Sequence, residues 1–355
     1  MKQSLQDLLL ELVQIDSVSD EEKEVSDYIM AYLQVLGLHP LQDEHSMIYC
    51  RVGSGENPTL FCAHLDTVEP GNGIKPVIED GVIRSDGTTI LGGDNKVAVA
   101  AILYSLTTLL SNHESPNIEL LFSVQEETEA GIKAFDVASL EAKQGIIFDG
   151  GNGRLDWAVT KASSIGTFSI EIMGKASHTT APENAINALD AFVSLMKQFS
   201  LGRINDYTTF NIGLVRSGDA SNTVPGWVHA SGDLRSTDHN LYLRMQQDFK
   251  DCLLALEITH NVTTAIKWNE YAESYTIDEN SELLRKLKNI YKTFDIELLA
   301  SETTGGSDAT FLNKHGIETL CLGDGVQNPH TVDESINVKD LATLQEITQK
   351  LIASL

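Results

Sequence analysis

Five separated segments of this chain carry side chains of the types that bind divalent metals. His64 and Asp66 follow the apolar run Leu60-Phe61-Cys62-Ala63. Glu126 and Glu127 come just after Leu120-Leu121-Phe122-Ser123-Val124, and Asp149 ends Ile146-Ile147-Phe148. Asp94 sits in the turn Gly92-Gly93-Asp94-Asn95-Lys96, and His330 lies in a loop beyond Glu318–Leu322 and Gly323-Asp324-Gly325. Imidazole and carboxylate are the ligands that zinc accepts beside thiolate. Two histidines and three carboxylates suffice for two ions if one carboxylate bridges them. Asp94 is the natural bridge, because its glycine-rich turn allows close backbone approach. Asp66 is two residues past His64, hence on the same face of an extended chain, where it can accept the second ring N–H of His64. Glu126 and Glu127 are neighbours that point apart, so one can bind metal while the other serves as general base.

These residues need a scaffold that brings distant segments to one rim. Short apolar strands alternate with helices: Leu60–Ala63, Ile118–Val124, Gly145–Phe148 and Glu318–Leu322. Such runs indicate strands covered on both faces, in an α/β fold with a mostly parallel sheet flanked by helices. Ligands of open α/β sheets bind beyond the carboxyl ends of the strands, where four of these strands deliver a His, Glu or Asp. An opening helix has Leu5, Leu8, Leu9, Leu12 and Val13 on one face. Ser19 and Glu22 have the spacing of a capping box for a second helix ending at Gly37. The middle third reads differently. Ser164–Met173 alternates, with Phe168, Ile170 and Ile172 on one side. A helix over about 183–199, strands near 208–215 and 227–234, a helix over about 240–256 and a strand near 262–268 follow. This is the β-α-β-β-α-β order of a ferredoxin-like α+β domain. The expected organisation is a catalytic domain of residues 1–162 and 270–355, with 163–269 inserted as a lid.

Composition narrows the function. The chain has 355 residues, 42% of them hydrophobic, with 25 Lys+Arg against 51 Asp+Glu. A formal net charge of −26 repels nucleic acid and anionic membranes. No apolar run approaches the ~18–20 residues of a membrane span, and the N-terminal segment does not read as a signal peptide. Cys50, Cys62, Cys252 and Cys321 form no CxxC pair and are expected to be free thiols in a reducing compartment, which points to the cytoplasm.

The segments His64-Leu65-Asp66-Thr67-Val68, Gly92-Gly93-Asp94-Asn95-Lys96-Val97-Ala98, Glu126-Glu127-Thr128-Glu129-Ala130-Gly131 and Phe148-Asp149-Gly150 resemble the dinuclear zinc aminopeptidases and deacylases. That family includes peptidase T, succinyl-diaminopimelate desuccinylase, acetylornithine deacetylase and aminoacylase. The resemblance covers nearly the whole chain, including Gly174-Lys175-Ala176-Ser177-His178 and Asn187-Ala188 of the inserted domain. It implies two zinc ions per subunit, with cobalt or manganese able to substitute. His64 and Asp149 would hold one ion, Glu127 and His330 the other, and Asp94 would bridge them and precede a cis peptide bond. Asp66 would support His64, and Glu126 would be the general base acting on a metal-activated water. His178 would touch the scissile carbonyl from the lid, while Asn222 and Arg235 would grip the substrate's polar groups. Gly306 and Ser307, in Gly305-Gly306-Ser307-Asp308, would approach the substrate backbone.

The implied activity is hydrolysis of an amide bond in a short peptide, of the aminopeptidase type. Asp149, in place of Glu and followed by two glycines, resembles the peptidase T branch, whereas Ser177-His178-Thr179-Thr180-Ala181-Pro182 is more similar to the deacylases. An N-acyl amino acid deacylase or a carboxypeptidase is the alternative reading. A non-catalytic metal-binding protein is disfavoured, since it has no need of a free carboxylate such as Glu126. Family members pair through the lid, and the exposed strand edges of the inserted domain predict a homodimer.

Overall fold

The computed structural model describes residues 4–128 and 131–355. The chain divides into two compact units. The first comprises residues 1–160, 277–301 and 307–355, and the second comprises 161–276 and 302–306.

The first unit is built on a mixed sheet. Seven of its nine strands lie in the order Leu41–Gln42, Ile48–Val52, Ile118–Ser123, Thr59–His64, Gln144–Phe148, Glu318–Leu322 and Trp157–Ala162. The four central strands, from Ile118–Ser123 to Glu318–Leu322, are mutually parallel. The flanking strands Ile48–Val52 and Trp157–Ala162 run antiparallel. Connection length explains the change: the links at 53–58 and 149–156 are shorter than the dozen or so residues that a parallel crossover requires. Thr59–His64 and Ile118–Ser123 are buried at every position, as strands covered on both faces must be. The helix Gly93–Ser111 is buried around most of its circumference and packs against Val338–Ser354, Leu5–Val13 and Thr59–His64. Its run of alanine, valine and leucine suits a helix inside the core rather than on the surface.

Local chemistry departs from the sequence expectation at the second helix, Lys23–Val35. Its N-cap is Glu22, with no side-chain cap bond. The Ser19 hydroxyl instead donates to Asp66 Oδ2 at 2.8 Å. Glu22 Oε1 accepts the backbone N–H groups of Asp20 and Gln125 at 3.1 and 3.0 Å. Both halves of the expected capping box are thus taken by tertiary partners. Gly37 follows the helix with φ +81°, a left-handed residue just past the C-cap.

The second unit holds a five-stranded antiparallel sheet in the order Gly202–Asn205, Thr208–Ser217, Trp227–Ser236, Ser164–Met173 and Thr263–Ala272. With the helices Ala188–Met196 and His239–Thr259 this gives β-α-β-β-α-β connectivity plus one marginal strand. The first helix starts later than residue 183, because Pro182–Asn184 forms a 3-10 turn. Asn187 then caps the helix by accepting the N–H groups of Leu189 and Asp190. Phe168, Ile170 and Ile172 all point into the core. The Phe168 ring lies 4.9 Å from that of Phe249 and 5.6 Å from that of Phe210, an aromatic cluster that anchors helix to sheet.

Among the described residues no helix is long and apolar enough to cross a membrane. All four cysteines are free, with Cys50, Cys62 and Cys321 buried.

Candidate metal centre

Strand register explains why the ligand types converge. His64 is the last residue of its strand and stands opposite Ser123, and Cys62 stands opposite Ile147. Leu322 is level with Phe148, and the Asp149 N–H donates to the Leu322 carbonyl at 3.0 Å. Parallel strands that end together therefore release His64, the Glu126–Glu127 pair and Asp149 at one height. The backbone turns sharply there, with Gln125 at φ +54°.

His64, Glu126 and Asp149 offer ligand atoms within 4.8 Å of one another, and so do His64, Asp94 and Glu127. His64 Nε2 is 3.2 Å from Asp94 Oδ1. His330 Nε2 is 3.3 Å from the other oxygen, Asp94 Oδ2, and 2.8 Å from Glu127 Oε1. Asp94 thus turns each carboxylate oxygen to a different histidine, the arrangement expected of a bridge. The Asp94–Asn95 peptide bond is cis. Asn95 Nδ2 donates to the carbonyl of Phe148 at 2.6 Å, tying this turn to the strand that leads to Asp149. Glu126 comes as near to His64 and Asp149 as a ligand would. The Glu129 and Ala130 positions of its motif lie outside the described residues.

Asp66 has more work than its spacing suggests. His64 Nδ1 is 3.0 Å from the Asp66 carbonyl and 3.4 Å from Asp66 Oδ1. The fully buried carboxylate of Asp66 accepts the N–H of Glu126 at 2.9 Å and of Glu127 at 3.0 Å, beside the Ser19 hydroxyl. One side chain therefore orients the imidazole and fixes the backbone of the Glu pair, and these bonds hold its pKa low despite burial.

Electrostatics test whether the donors fit cations. Burial, reinforced by the carboxylates of Asp94 and Glu127, pushes Asp149 up to about 8. Burial and the neighbouring Asp149 raise Glu126 well above the ordinary range. The histidines are raised too, but by their carboxylate neighbours, so they hold positive charge. Asp94 and Glu127 lift His330 to about 10, and Asp66 and Asp94 raise His64 although burial opposes it. A buried group of carboxylates that repel one another and draw protons onto the histidines is one that positive charge would relieve. The donor set of imidazoles and carboxylates fits a pair of divalent ions.

Several supports have no signature in the sequence. Asp308 is buried and accepts from the Ser123 hydroxyl, with Cys62 Sγ 3.8 Å away. Lys96 is fully buried and donates to the Ile15 carbonyl at 2.6 Å. Glu334 is fully buried and binds the backbone of the Asp94 turn.

The residues expected to touch substrate have their own settings. In the second unit, His178 pairs with Thr223 in a two-stranded ribbon. His178 Nδ1 is 2.8 Å from the Thr180 hydroxyl, and Nε2 is 3.5 Å from Asn222 Nδ2. Arg235 Nε donates to Asp233 Oδ2 at 2.8 Å, and its guanidinium reaches the Thr304 carbonyl at 3.3 Å. A side chain on Gly306 would come within 2.9 Å of Tyr271. In the first unit, Ser307 caps the helix Asp308–Lys314 by its backbone alone.

An α/β sheet whose rim gathers two histidines, three ligand-type carboxylates and a further part-buried glutamate defines a metal-dependent hydrolase. Residues 60–354 match the model of peptidase family M20/M25/M40, and the chain belongs to that family. Among solved structures, aminopeptidase PepT from Bacillus cereus ATCC 10987 is 29% identical, with TM-score 0.92 and coverage of 98% of this chain and 97% of that one. A tripeptidase from Staphylococcus aureus subsp. aureus Mu50 is 27% identical, with TM-score 0.94 and coverage of 100% and 99%. The succinyl-diaminopimelate desuccinylase of Stenotrophomonas maltophilia (strain R551-3) is 24% identical over 98% of both chains.

Proposed function

We propose that this metallopeptidase is an aminopeptidase acting on short peptides, with two zinc ions per subunit. The observation that carries the reading is the convergence of His64, Asp94, Glu127, Asp149 and His330 around one further carboxylate, Glu126. In this reading His64 and Asp149 would hold one ion, Glu127 and His330 would hold the other, and Asp94 would serve both. When bound, the metal pair supplies Lewis-acid activation of a water molecule and of the scissile carbonyl. Glu126 takes the proton of the attacking water on its carboxylate and passes it to the leaving amine. Its burial beside Asp149 favours a base that must hold a proton before returning it. Asp66 keeps Glu126 and Glu127 in place through their N–H groups.

His178 is proposed to stabilise the oxyanion, and Asn222 and Arg235 to hold the substrate's polar ends. Supporting this are the proximity of His178 to Asn222 and the bonds of Arg235 to Asp233 and Thr304, which fix its guanidinium. Gly306 and Ser307 are proposed to face the substrate backbone. Peptide substrates are favoured by the similarity to an aminopeptidase and a tripeptidase along the whole chain. N-acyl amino acid deacylation is the second reading, favoured by the similarity to a desuccinylase. A panel of di- and tripeptides run against N-acyl amino acids, with zinc, cobalt or manganese added, separates the two. Release of the N-terminal residue from peptides with a free amine supports the first, and turnover confined to acylated substrates overturns it.

The second unit is proposed to act as a lid and as the surface of a homodimer. Its sheet has the ten-residue strand Thr263–Ala272 at one margin, an edge that proteins normally cover or pair. A monomeric mass by light scattering in active enzyme would remove the dimer. A cytoplasmic location is proposed from the four free thiols, which persist in a reducing compartment.

A further inference from the structure

Glu334 lies four residues beyond His330 and is fully buried. Its two carboxylate oxygens are both engaged by one turn: Oε2 accepts the Gly92 N–H at 2.8 Å, and Oε1 accepts the Asp94 N–H at 2.9 Å. Gly92 has φ +68°, and Gly93 leaves the space that this approach requires. A Cβ on Gly93 would stand 3.3 Å from Glu334 Oε1 and 3.3 Å from Val326. The other end of the link is equally constrained. Gln327 and Ser335 exchange backbone bonds at 2.8 and 3.1 Å, closing residues 327–335 into a loop with His330 near its tip. Within it, Thr331 Oγ1 donates to the Asn328 carbonyl at 2.8 Å, and the Glu334 N–H donates to the Thr331 carbonyl at 3.0 Å. Among the described residues, Glu334 is the loop's charged acceptor for the Asp94 turn. His330 and Asp94 reach one another only through side chains, 3.3 Å apart.

We propose that Glu334 is a positioning residue that sets the spacing between Asp94 and His330 and thereby tunes the affinity of the metal position they share. A carboxylate that accepts two N–H groups of one turn fixes that turn in rotation as well as translation. Because Glu334 is also bonded within the His330 loop through its N–H to the Thr331 carbonyl, displacement of either ligand strains the Glu334 bonds. Asp94 apart, the ligands of the other ion have supports of their own. His64 and Asp149 are carried by their own strands, so loss of Glu334 should fall unequally on the two ions.

The inference rests on the proposed roles of Asp94 and His330 as ligands, and the experiment keeps the two ideas apart. Chelator-stripped protein is titrated with Zn2+ by calorimetry, with circular dichroism recorded at the same temperature to establish the folded fraction. His330→Ala is the control for the ligand reading. If it still binds two equivalents with unchanged affinity, the ligand assignment fails. If it loses one, Glu334 is tested by Glu334→Gln and Glu334→Asp. Outer partners of metal ligands are typically worth about 10–100-fold in affinity. Glu334→Gln keeps one acceptor but places an amide donor against an N–H, and is expected to weaken the site that His330 shares by about that factor and the other, which has only Asp94 in common with it, by clearly less. Glu334→Asp keeps the charge but falls short by a methylene, and should give an intermediate loss. Gly93→Ala presses on Glu334 without touching its chemistry and should weaken the same site. Folded Glu334→Gln with two unchanged affinities, or a loss spread evenly over both sites, overturns the proposal. Should Glu334→Gln fail to fold, unchanged affinities in Glu334→Asp and Gly93→Ala overturn it.

Discussion

The two units treat their polar groups in opposite ways. In the first, the ligand cluster is buried or half-buried except at His330, whose side chain is 50% exposed. His64 is 2% exposed and Asp94 13%, and their neighbours are fixed by backbone donors that leave the carboxylates little freedom. In the second, His178 and Asn222 are exposed, share one long contact of 3.5 Å, and sit in a ribbon of two residues per strand. Charge buried at low dielectric is expensive unless every oxygen has a partner. An exposed histidine needs no such enclosure and can reorient at small cost. The difference separates a rigid half, where chemistry demands fixed ligand geometry, from a half whose proposed task is to meet a substrate.

The most severe test of that contrast removes what the rigid half is arranged around. Exhaustive chelation is expected to take turnover below detection and to lower the thermal unfolding midpoint, because the ions tie five distant segments together. Full hydrolysis by protein shown to be metal-free by elemental analysis would end the comparison. Next in size is Glu126→Gln, expected to lower kcat by about 10²–10⁴-fold with both metals retained. Glu127→Gln should instead deplete metal, and equal metal content in the two variants would mean the roles of the pair are misassigned.

His178→Ala probes the second unit. Loss of one oxyanion donor predicts a fall in kcat of about 10²–10³-fold, with metal content and unfolding midpoint unchanged. A drop in metal content would show that the two halves are less distinct than argued. Smaller effects are expected from stability alone. Ser19→Ala removes a donor to the buried Asp66 carboxylate and should cost about 1.5–3 kcal/mol in chemical denaturation. Asn187→Ala removes a helix cap in the second unit, at about 1 kcal/mol, and should leave turnover intact. A reversed ranking in urea titrations would contradict the greater constraint assigned to the first unit.

What could be read from the linear chain was whatever a strand or helix carries locally. Apolar runs ending in His64, Glu126–Glu127 and Asp149 mark strands and their carboxyl ends, because burial on both faces demands such runs and parallel pairing aligns their exits. Alternation at Phe168, Ile170 and Ile172 marked a sheet with one buried face for the same reason. The antiparallel margins of the first sheet were implicit in short connections that the strand pattern alone does not weigh.

Partnership across long separations was decided only by the tertiary structure. Ser19 and Glu22 have the spacing of a helix cap, yet Ser19 serves Asp66 and Glu22 serves Gln125. Glu334 and Gly92 are 242 residues apart, and Asp308 and Ser123 are separated by 185. A carboxylate in a polar loop has no periodicity to reveal it, and its partner is a backbone N–H that every residue but proline possesses. Ligand types at strand ends are a property of sequence because they follow local burial. The bonds that hold those ligands at working distances belong to the packed structure, since only folding selects one donor among hundreds.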